Sequence, residues 1–301
     1  MDIILGSPRG FCAGVVRAID IVELALKRIG KPIYIRHEII HNQFIVDDLA
    51  EKGAIFVDEL SEVPDGNVVI FSAHGVSPAV RSEAELRGLK ILDATCPLVT
   101  KVHLEAKKYA GDGFTIILVG HKGHPETIGT SGEAPSRTIV VETVADTETV
   151  EIPDPERVVV LTQTTLSVDD TREIVDSLTR RFPKIVVRND ICYATSNRQM
   201  AAKLVAEDAE VVLVIGAKNS SNSNRLREVV QDLGIPSFLI NGPEEIPSRM
   251  LHAKNKIGIV SGASTPEILV QRVIEKLKPG NIFNLTVVEE DVKFALPKEL
   301  T

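Results

Sequence analysis

The residues of this chain best suited to chemistry are three thiols and a set of histidines, hydroxyls and one carboxylate at strand ends. Cys12, Cys96 and Cys192 lie in "GFCAGVVRA", "DATCPLVTK" and "DICYATSNRQ", 84 and 96 residues apart. Each follows a strand-like apolar run and precedes a segment of helical period. An odd cysteine count does not suit a closed disulfide framework. A single buried cysteine commonly serves as a small hydrophobe, but three at equivalent junctions point to one shared task. Around them, "HEIIHN" places His41, "SAHGVS" His74, and "GHKGHPE" His121, His124 and Glu126. "TQTTLS" adds Thr164 and Thr165, "KNSSNSNRL" Ser220, Ser221 and Asn222, and "GASTPE" Ser264. Such imidazole, hydroxyl and amide groups can donate hydrogen bonds to an anion, and a helix starting at Ser220 would add its N-terminal N–H groups. "NSSNSN" also suits plain helix capping, and "GHKGHPE" is neither a Walker loop nor a dinucleotide fingerprint. His37, His103 and His252 fall on helix or strand flanks and read as ordinary polar residues.

A repeated strand-then-helix chain must position these groups. "DIILG", "PIYI", "VVIFS", "LKILD", "TIILVG", "TIVVE", "VVVLTQ", "KIVV", "VVLVIG", "SFLI" and "IGIVSG" are rich in Val and Ile and mostly unalternating. Strands buried on both faces read this way. Amphipathic segments run between them. One is expected over 13–29, with Val16, Ile19, Val22, Leu26 and Ile29 on one face and Gly30 at its end. Another opens at Ser167, with Asp170 in its first turn and Ile174, Leu178 and Phe182 a turn apart. The alternation predicts an α/β fold with mostly parallel sheets. The cysteine spacing, about one small domain each time, divides the chain into three similar α/β units. These are 14–96, 97–191 and 192–281, the last completed by the strand in 1–13. Residues 282–301 are expected to form a tail of two short extended segments. Three units facing inward would converge their strand ends on one polar cavity.

Composition narrows the function classes. A hydrophobic share of 44% and a charged share of 25% suit a soluble globular protein. The net charge of −8 argues against binding dominated by nucleic-acid phosphates. No run approaches the roughly 20 apolar residues of a membrane span. "MDIILGSPRG" enters a strand directly, with no signal or transit pattern. A cytoplasmic protein with reduced thiols is expected, a monomer or weak dimer without nucleic-acid or membrane partners.

Nine motifs then fall into one order: "GFCAGVVRA", "HEIIHN", "SAHGVS", "DATCPLVTKVH", "GHKGHPE", "TQTTLSVDDT", "DICYATSNRQ", "KNSSNSNRL" and "GASTPE". Together they resemble the 4-hydroxy-3-methylbut-2-enyl diphosphate reductases, the LytB family, from residue 9 to about residue 267. Two departures stand out. Glu133 occupies a position where the family more often has Gln, and Ser196 one where Thr is usual.

The resemblance implies that Cys12, Cys96 and Cys192 are the ligands of one [4Fe–4S] cluster per chain, at the centre of the three units. Four thiolates are usual for such clusters, so three leave one iron open to substrate. The implied substrate is (E)-4-hydroxy-3-methylbut-2-enyl diphosphate, an allylic alcohol. His41, His74, His124, Ser220, Asn222 and Ser264 match the family's diphosphate pocket, with Ser221 sharing that role. Glu126 matches the proton donor, and Thr164 the residue that orients the departing hydroxyl or relays the proton. The implied products are isopentenyl and dimethylallyl diphosphate, at the last step of the methylerythritol phosphate route. No flavin or nicotinamide motif is present, so an external donor of flavodoxin or ferredoxin type is expected. Two other classes compete with this reading. A zinc hydrolase would use Cys and His ligands, although no Cys-x-x-Cys pair is present. A non-catalytic iron–sulfur sensor would have no use for Glu126 or a diphosphate pocket.

Overall fold

The computed structural model of the chain describes residues 1–248 and 256–301, so His252 lies outside the described residues. Strand and helix alternate from the start. The first part runs β1 (Asp2–Ser7), α1 (Ala13–Arg28), β2 (Ile33–Arg36), α2 (Gln43–Lys52), β3 (Ala54–Val57), β4 (Val68–Phe71), α3 (Pro78–Leu86) and β5 (Lys90–Asp93). The middle runs α4 (Pro97–Gly111), β6 (Thr115–Val119), α5 (Pro125–Ser131), β7 (Thr138–Val141), α6 (Val144–Thr149), β8 (Val158–Thr162), α7 (Val168–Arg181) and β9 (Val186–Val187). The last part holds α8 (Tyr193–Asp208), β10 (Val211–Ile215), α9 (Ser221–Asp232), β11 (Ser237–Ile240), β12 (Lys256–Ser261), α10 (Glu267–Leu277) and β13 (Asn281–Thr286).

These strands build three sheets, ordered β3-β2-β4-β5, β7-β6-β8-β9 and β11-β10-β12-β1-β13. Their pairings are parallel, so the expected α/β class with parallel sheets holds. The chain gathers into two compact units. One comprises Met1–Val15, His41–Gln43 and Cys192–Lys293, and the other Val16–Ile40, Phe44–Ile191 and Phe294–Thr301. The five-stranded sheet lies in the former, and both four-stranded sheets in the latter.

Central strands are buried along their whole length, as in Val68–Phe71, Thr115–Val119 and Val158–Thr162. Parallel strands covered on both faces need such unbroken apolar runs. The outer strands do not show them. Ala54–Val57 is buried only at its two ends, and Asn281–Thr286 is almost wholly exposed. Neither was expected as a strand of a sheet. Asn281–Thr286 pairs with β1 from Asp2↔Asn281 to Ser7↔Thr286, so the expected tail begins inside an edge strand.

Helix α1 corrects one expected face. Val16 and Ile29 are 43% and 51% exposed, while Val15, Ala18, Ile21, Val22 and Ala25 are buried. The stripe is set by small residues: Ala18 and Ala25 let the helix approach closely, and a larger side chain there would overpack by about 1–3 kcal/mol. Gly30, at φ +95°, closes the helix as expected, with its N–H donating to the Ala25 carbonyl. Helix α7 is as expected: Ser167 Oγ accepts from Asp170 N at 3.1 Å, and Ile174, Leu178 and Phe182 are buried. Among the described residues, no helix is long and apolar enough to cross a membrane.

Candidate active site

The unit with the two four-stranded sheets holds Glu126, Thr164, His74, His124 and Cys96. Pro125 opens the short helix α5, and Glu126 sits in its first turn, 3% exposed. The chain leaving β8 passes beside it. There Thr164 N donates to Glu126 Oε1 at 2.6 Å and Thr164 Oγ1 to Oε2 at 3.1 Å. Burial pushes the Glu126 carboxyl up from 4.5 to about 7, against the pull of the two Thr164 hydrogen bonds and with help from the Asp190 charge. His124 caps α5, its Nδ1 accepting from Glu126 N at 3.2 Å. That contact leaves Nε2 to carry the ring proton of the neutral imidazole. His74 meets His124 edge-on, ring centroids 5.7 Å apart, and its Nδ1 lies 3.3 Å from Ser72 Oγ. Cys96 N donates to the carbonyl of Ala73, so the thiol-bearing turn lies against the strand end that presents His74. Five groups named from the sequence thus share one strand-end region of this unit.

In the other unit, three consecutive residues after β12 serve as a hub. Gly262 faces Asn222: a Cβ added there would stand 3.4 Å from Asn222 Nδ2 and 2.2 Å from Ser223 Oγ, so glycine is required. The Ala263 carbonyl accepts from Cys12 N at 3.0 Å. Ser264 Oγ donates to the His41 carbonyl at 3.2 Å. Ser220 caps α9, its Oγ accepting from Ser223 N at 3.3 Å, and Ser221 and Asn222 form the helix's first turn. Asn222 is buried, yet among the described residues neither polar atom of its side-chain amide has a hydrogen-bond partner. An unpaired buried amide costs about 1–3 kcal/mol, and a ligand that accepts from Nδ2 would recover it at a helix N-terminus already suited to anions.

The cysteines form no disulfide and are partly exposed. Cys96 and Cys192 are the N-cap residues of α4 and α8, and neither makes a side-chain capping bond, although Cys192 Sγ lies 3.2 Å from Thr195 Oγ1 in the first turn of α8; Cys12 directly precedes α1. Thiolates are favoured at helix N-termini. Cys12 and Cys192 both bear on Tyr193, whose phenol is pushed up to about 12 by burial, with Cys12 the next contributor. A cleft of about 840 Å³ opens at Thr95 and Pro97, on both sides of Cys96. Among the described residues, no three His, Cys, Asp or Glu side chains close on a single metal ion.

Two features escaped the sequence reading. His103, taken for an ordinary polar residue, is buried on α4 and pairs through Nδ1 with Glu133 Oε1 at 2.9 Å. Its ring edge lies against Gly75 and Gly129, where an added Cβ would stand 3.2 and 3.1 Å away. Glu133, a departure from the usual Gln, therefore supports the turn after His74 and the helix bearing Glu126. Glu133→Gln keeps a hydrogen-bond acceptor and should change stability by under about 1 kcal/mol, whereas Glu133→Leu strands His103 Nδ1 and should cost about 1–3 kcal/mol by urea denaturation. The second feature is "HEIIH", which has the His-Glu-x-x-His spacing of a zinc site. That motif works on a helix, but residues 37–41 are not helical, and His37 has φ +60° and faces Asp58 at 3.6 Å. His121 turns its ring toward Glu142 at 3.8 Å, while its main chain donates to Gln163 Oε1 at 3.0 Å and accepts from His124 N at 3.1 Å.

The sequence matches the LytB protein family over residues 3–278. The chain belongs to the LytB family. Membership makes it an oxidoreductase. A 4-hydroxy-3-methylbut-2-enyl diphosphate reductase from Azoarcus sp. (strain BH72) is 55% identical, over 99% of this chain and 97% of the relative. The structure of E-1-hydroxy-2-methyl-but-2-enyl-4-diphosphate reductase from Plasmodium falciparum superposes with a TM-score of 0.96 at 40% identity, covering 99% of this chain and 96% of that one. A second LytB-type structure, described as the terminal enzyme of the non-mevalonate pathway, gives a TM-score of 0.66 at 35% identity over 92% and 99% of the two chains.

Proposed function

We propose that this protein reduces (E)-4-hydroxy-3-methylbut-2-enyl diphosphate to isopentenyl and dimethylallyl diphosphate, the last step of the methylerythritol phosphate route. The carrying observation is Glu126, a buried carboxyl held by both polar groups of Thr164 and poised at about 7. At neutral pH a sizeable fraction of such a group holds its proton, which an alcohol needs in order to leave as water. A structural carboxylate would have little reason to sit buried without a cation against it.

In this reading Cys12, Cys96 and Cys192 hold one [4Fe–4S] cluster with a single iron left without a thiolate. The fit rests on their chemistry: three thiols outside any disulfide, each at or just before a helix start. When bound, such a cluster would supply two electrons one at a time and a Lewis-acidic iron for the substrate alcohol. The electrons come from a flavodoxin- or ferredoxin-type partner.

The remaining steps belong to the chain's own residues. His41, His74, His124, Ser220, Ser221, Asn222 and Ser264 bind the diphosphate through imidazole, hydroxyl and amide donors and helix N–H groups. Thr164 fixes the carboxyl and orients the hydroxyl, and Glu126 delivers the proton. The test of the reading is anaerobic incubation of purified protein with substrate and a chemical reductant, with the two isoprenyl diphosphates as the expected products. Iron without product formation would return the sensor reading.

The pocket has its own test. Asn222→Ala or His41→Ala should weaken substrate affinity about ten- to a hundredfold, the loss of one charge-assisted contact to phosphate. The resting visible spectrum should be unaltered. Unchanged affinity in both variants removes these residues from the diphosphate site.

A further inference from the structure

Two arginines that the proposed chemistry does not use share one arrangement. Arg198, 2% exposed on α8, donates from Nη1 to the Ala194 carbonyl at 3.0 Å and from Nη2 to the Gly10 carbonyl at 2.9 Å. Gly10 lies two residues before Cys12 and Ala194 two residues after Cys192, so one guanidinium grips the main chain beside two cysteines. Its charge is met by Glu290, both of whose oxygens lie 3.2 Å from Nη1, and Asn197 Nδ2 donates to the same carboxylate at 3.0 Å. In the other unit Arg17 donates from Nη1 to the Thr95 carbonyl at 3.0 Å and from Nη2 to that of Asp93 at 3.4 Å, just ahead of Cys96. Its Nε donates to the Ala295 carbonyl at 2.8 Å. Both arginines therefore hold a cysteine-bearing turn on one side and the C-terminal segment after β13 on the other.

We propose that the C-terminal segment is part of the apparatus that presents the cysteines, acting through Arg198 and Arg17 as positioning residues. The inference rests on the reading of the three thiols as cluster ligands. Arginine suits the task because its planar fork carries five donors in fixed directions, enough to join three backbone or carboxylate acceptors at once. Each guanidinium bond falls on main chain that flanks a cysteine, at Gly10, Ala194, Thr95 and Asp93. Gly10, at φ +73°, leaves the turn before Cys12 without side-chain packing of its own. Glu290 is indispensable to this geometry, because an arginine as buried as Arg198 requires a counter-charge.

The test uses anaerobically purified holoprotein carrying Glu290→Leu, Glu290→Gln or Arg17→Lys, each checked for native circular dichroism. Two quantities are read: the rate of iron release to a chelator, and amide hydrogen exchange across the cysteine turns. Glu290→Leu should release iron about tenfold faster than the parent, with Glu290→Gln in between because it keeps an acceptor. Exchange should rise at residues 10–13 and 192–195 and stay unchanged at 93–97. Arg17→Lys should give the converse pattern. Iron release within about twofold of the parent in both Glu290→Leu and Arg17→Lys overturns the proposal, as does a rise in exchange spread evenly over the chain. A parent protein that binds no iron overturns the ligand reading alone, while the exchange pattern still decides whether the tail holds these turns.

Discussion

Replacing Glu126 by glutamine is expected to lower turnover by at least about a hundredfold, within the range of about 10²–10⁴ for a general acid. Glutamine keeps the shape of the side chain, its Oε1 can still accept from Thr164 N and its Nε2 can donate to Thr164 Oγ1, so the local structure should survive. What it lacks is the proton. Iron content and the spectral response to substrate should match the parent, and anaerobic turnover with a chemical reductant is the measurement. Activity within about threefold of the parent would sink the assignment. The pH dependence has a definite sign. With its pKa raised to about 7, Glu126 is protonated below that value, so the parent's rate should fall as pH rises through 7, and the variant should lose this limb. Stability should shift in the same sense. Folding raises this carboxyl from 4.5 to about 7, so its contribution is fully present below pH 4.5 and fades as pH climbs through 7. The loss is roughly 3 kcal/mol at about 1.4 kcal/mol per pH unit. Glutamine carries no such loss, so above pH 7 the variant should withstand more urea than the parent.

Serine in place of Cys12, Cys96 or Cys192 is expected to strip most of the bound iron and the brown colour that goes with it. The side chains differ by one atom, yet thiolate is the soft donor that iron–sulfur clusters need, and a serine hydroxyl stays protonated at neutral pH. The three substitutions should behave alike, because the chain has no fourth cysteine to take over. Iron counting and visible absorbance decide the matter, and the absence of Trp keeps protein absorbance low. Full iron retention in two of the three variants removes the three-ligand arrangement.

Much of this was legible in the sequence because parallel sheets announce themselves. The central strands are unbroken runs of Val, Ile and Leu, and the chemistry sits in the turns that follow them. The edges were harder to read. Asn281–Thr286 is exposed and carries Asn and Thr among its apolar residues, so nothing local distinguished an edge strand from an extended tail. In α1, attention to large aliphatics missed a stripe set by alanines. Site residues were legible as types and motifs, but their partners were not. Nothing local tells that Glu126 is buried against Thr164, 38 residues away, or that His103 reaches Glu133. The Arg198–Glu290 pair spans 92 positions and joins two residue types that usually face solvent.

The order of the five-stranded sheet has a consequence for how the chain is made. β1 leaves the ribosome well ahead of both its neighbours, since β12 and β13 come from residues 256–286. The two four-stranded sheets draw on continuous stretches and can form as they emerge, since domains generally fold as units during synthesis. β1 must wait, an apolar strand with two unpaired edges, until residues 256–286 have been translated. Contacts this distant in sequence slow folding, and an exposed apolar strand is an aggregation hazard in the meantime. Cys12 waits with it, so loading of a three-thiol centre belongs after release from the ribosome, and a chain truncated before β13 would present its first thiol from an unfinished sheet.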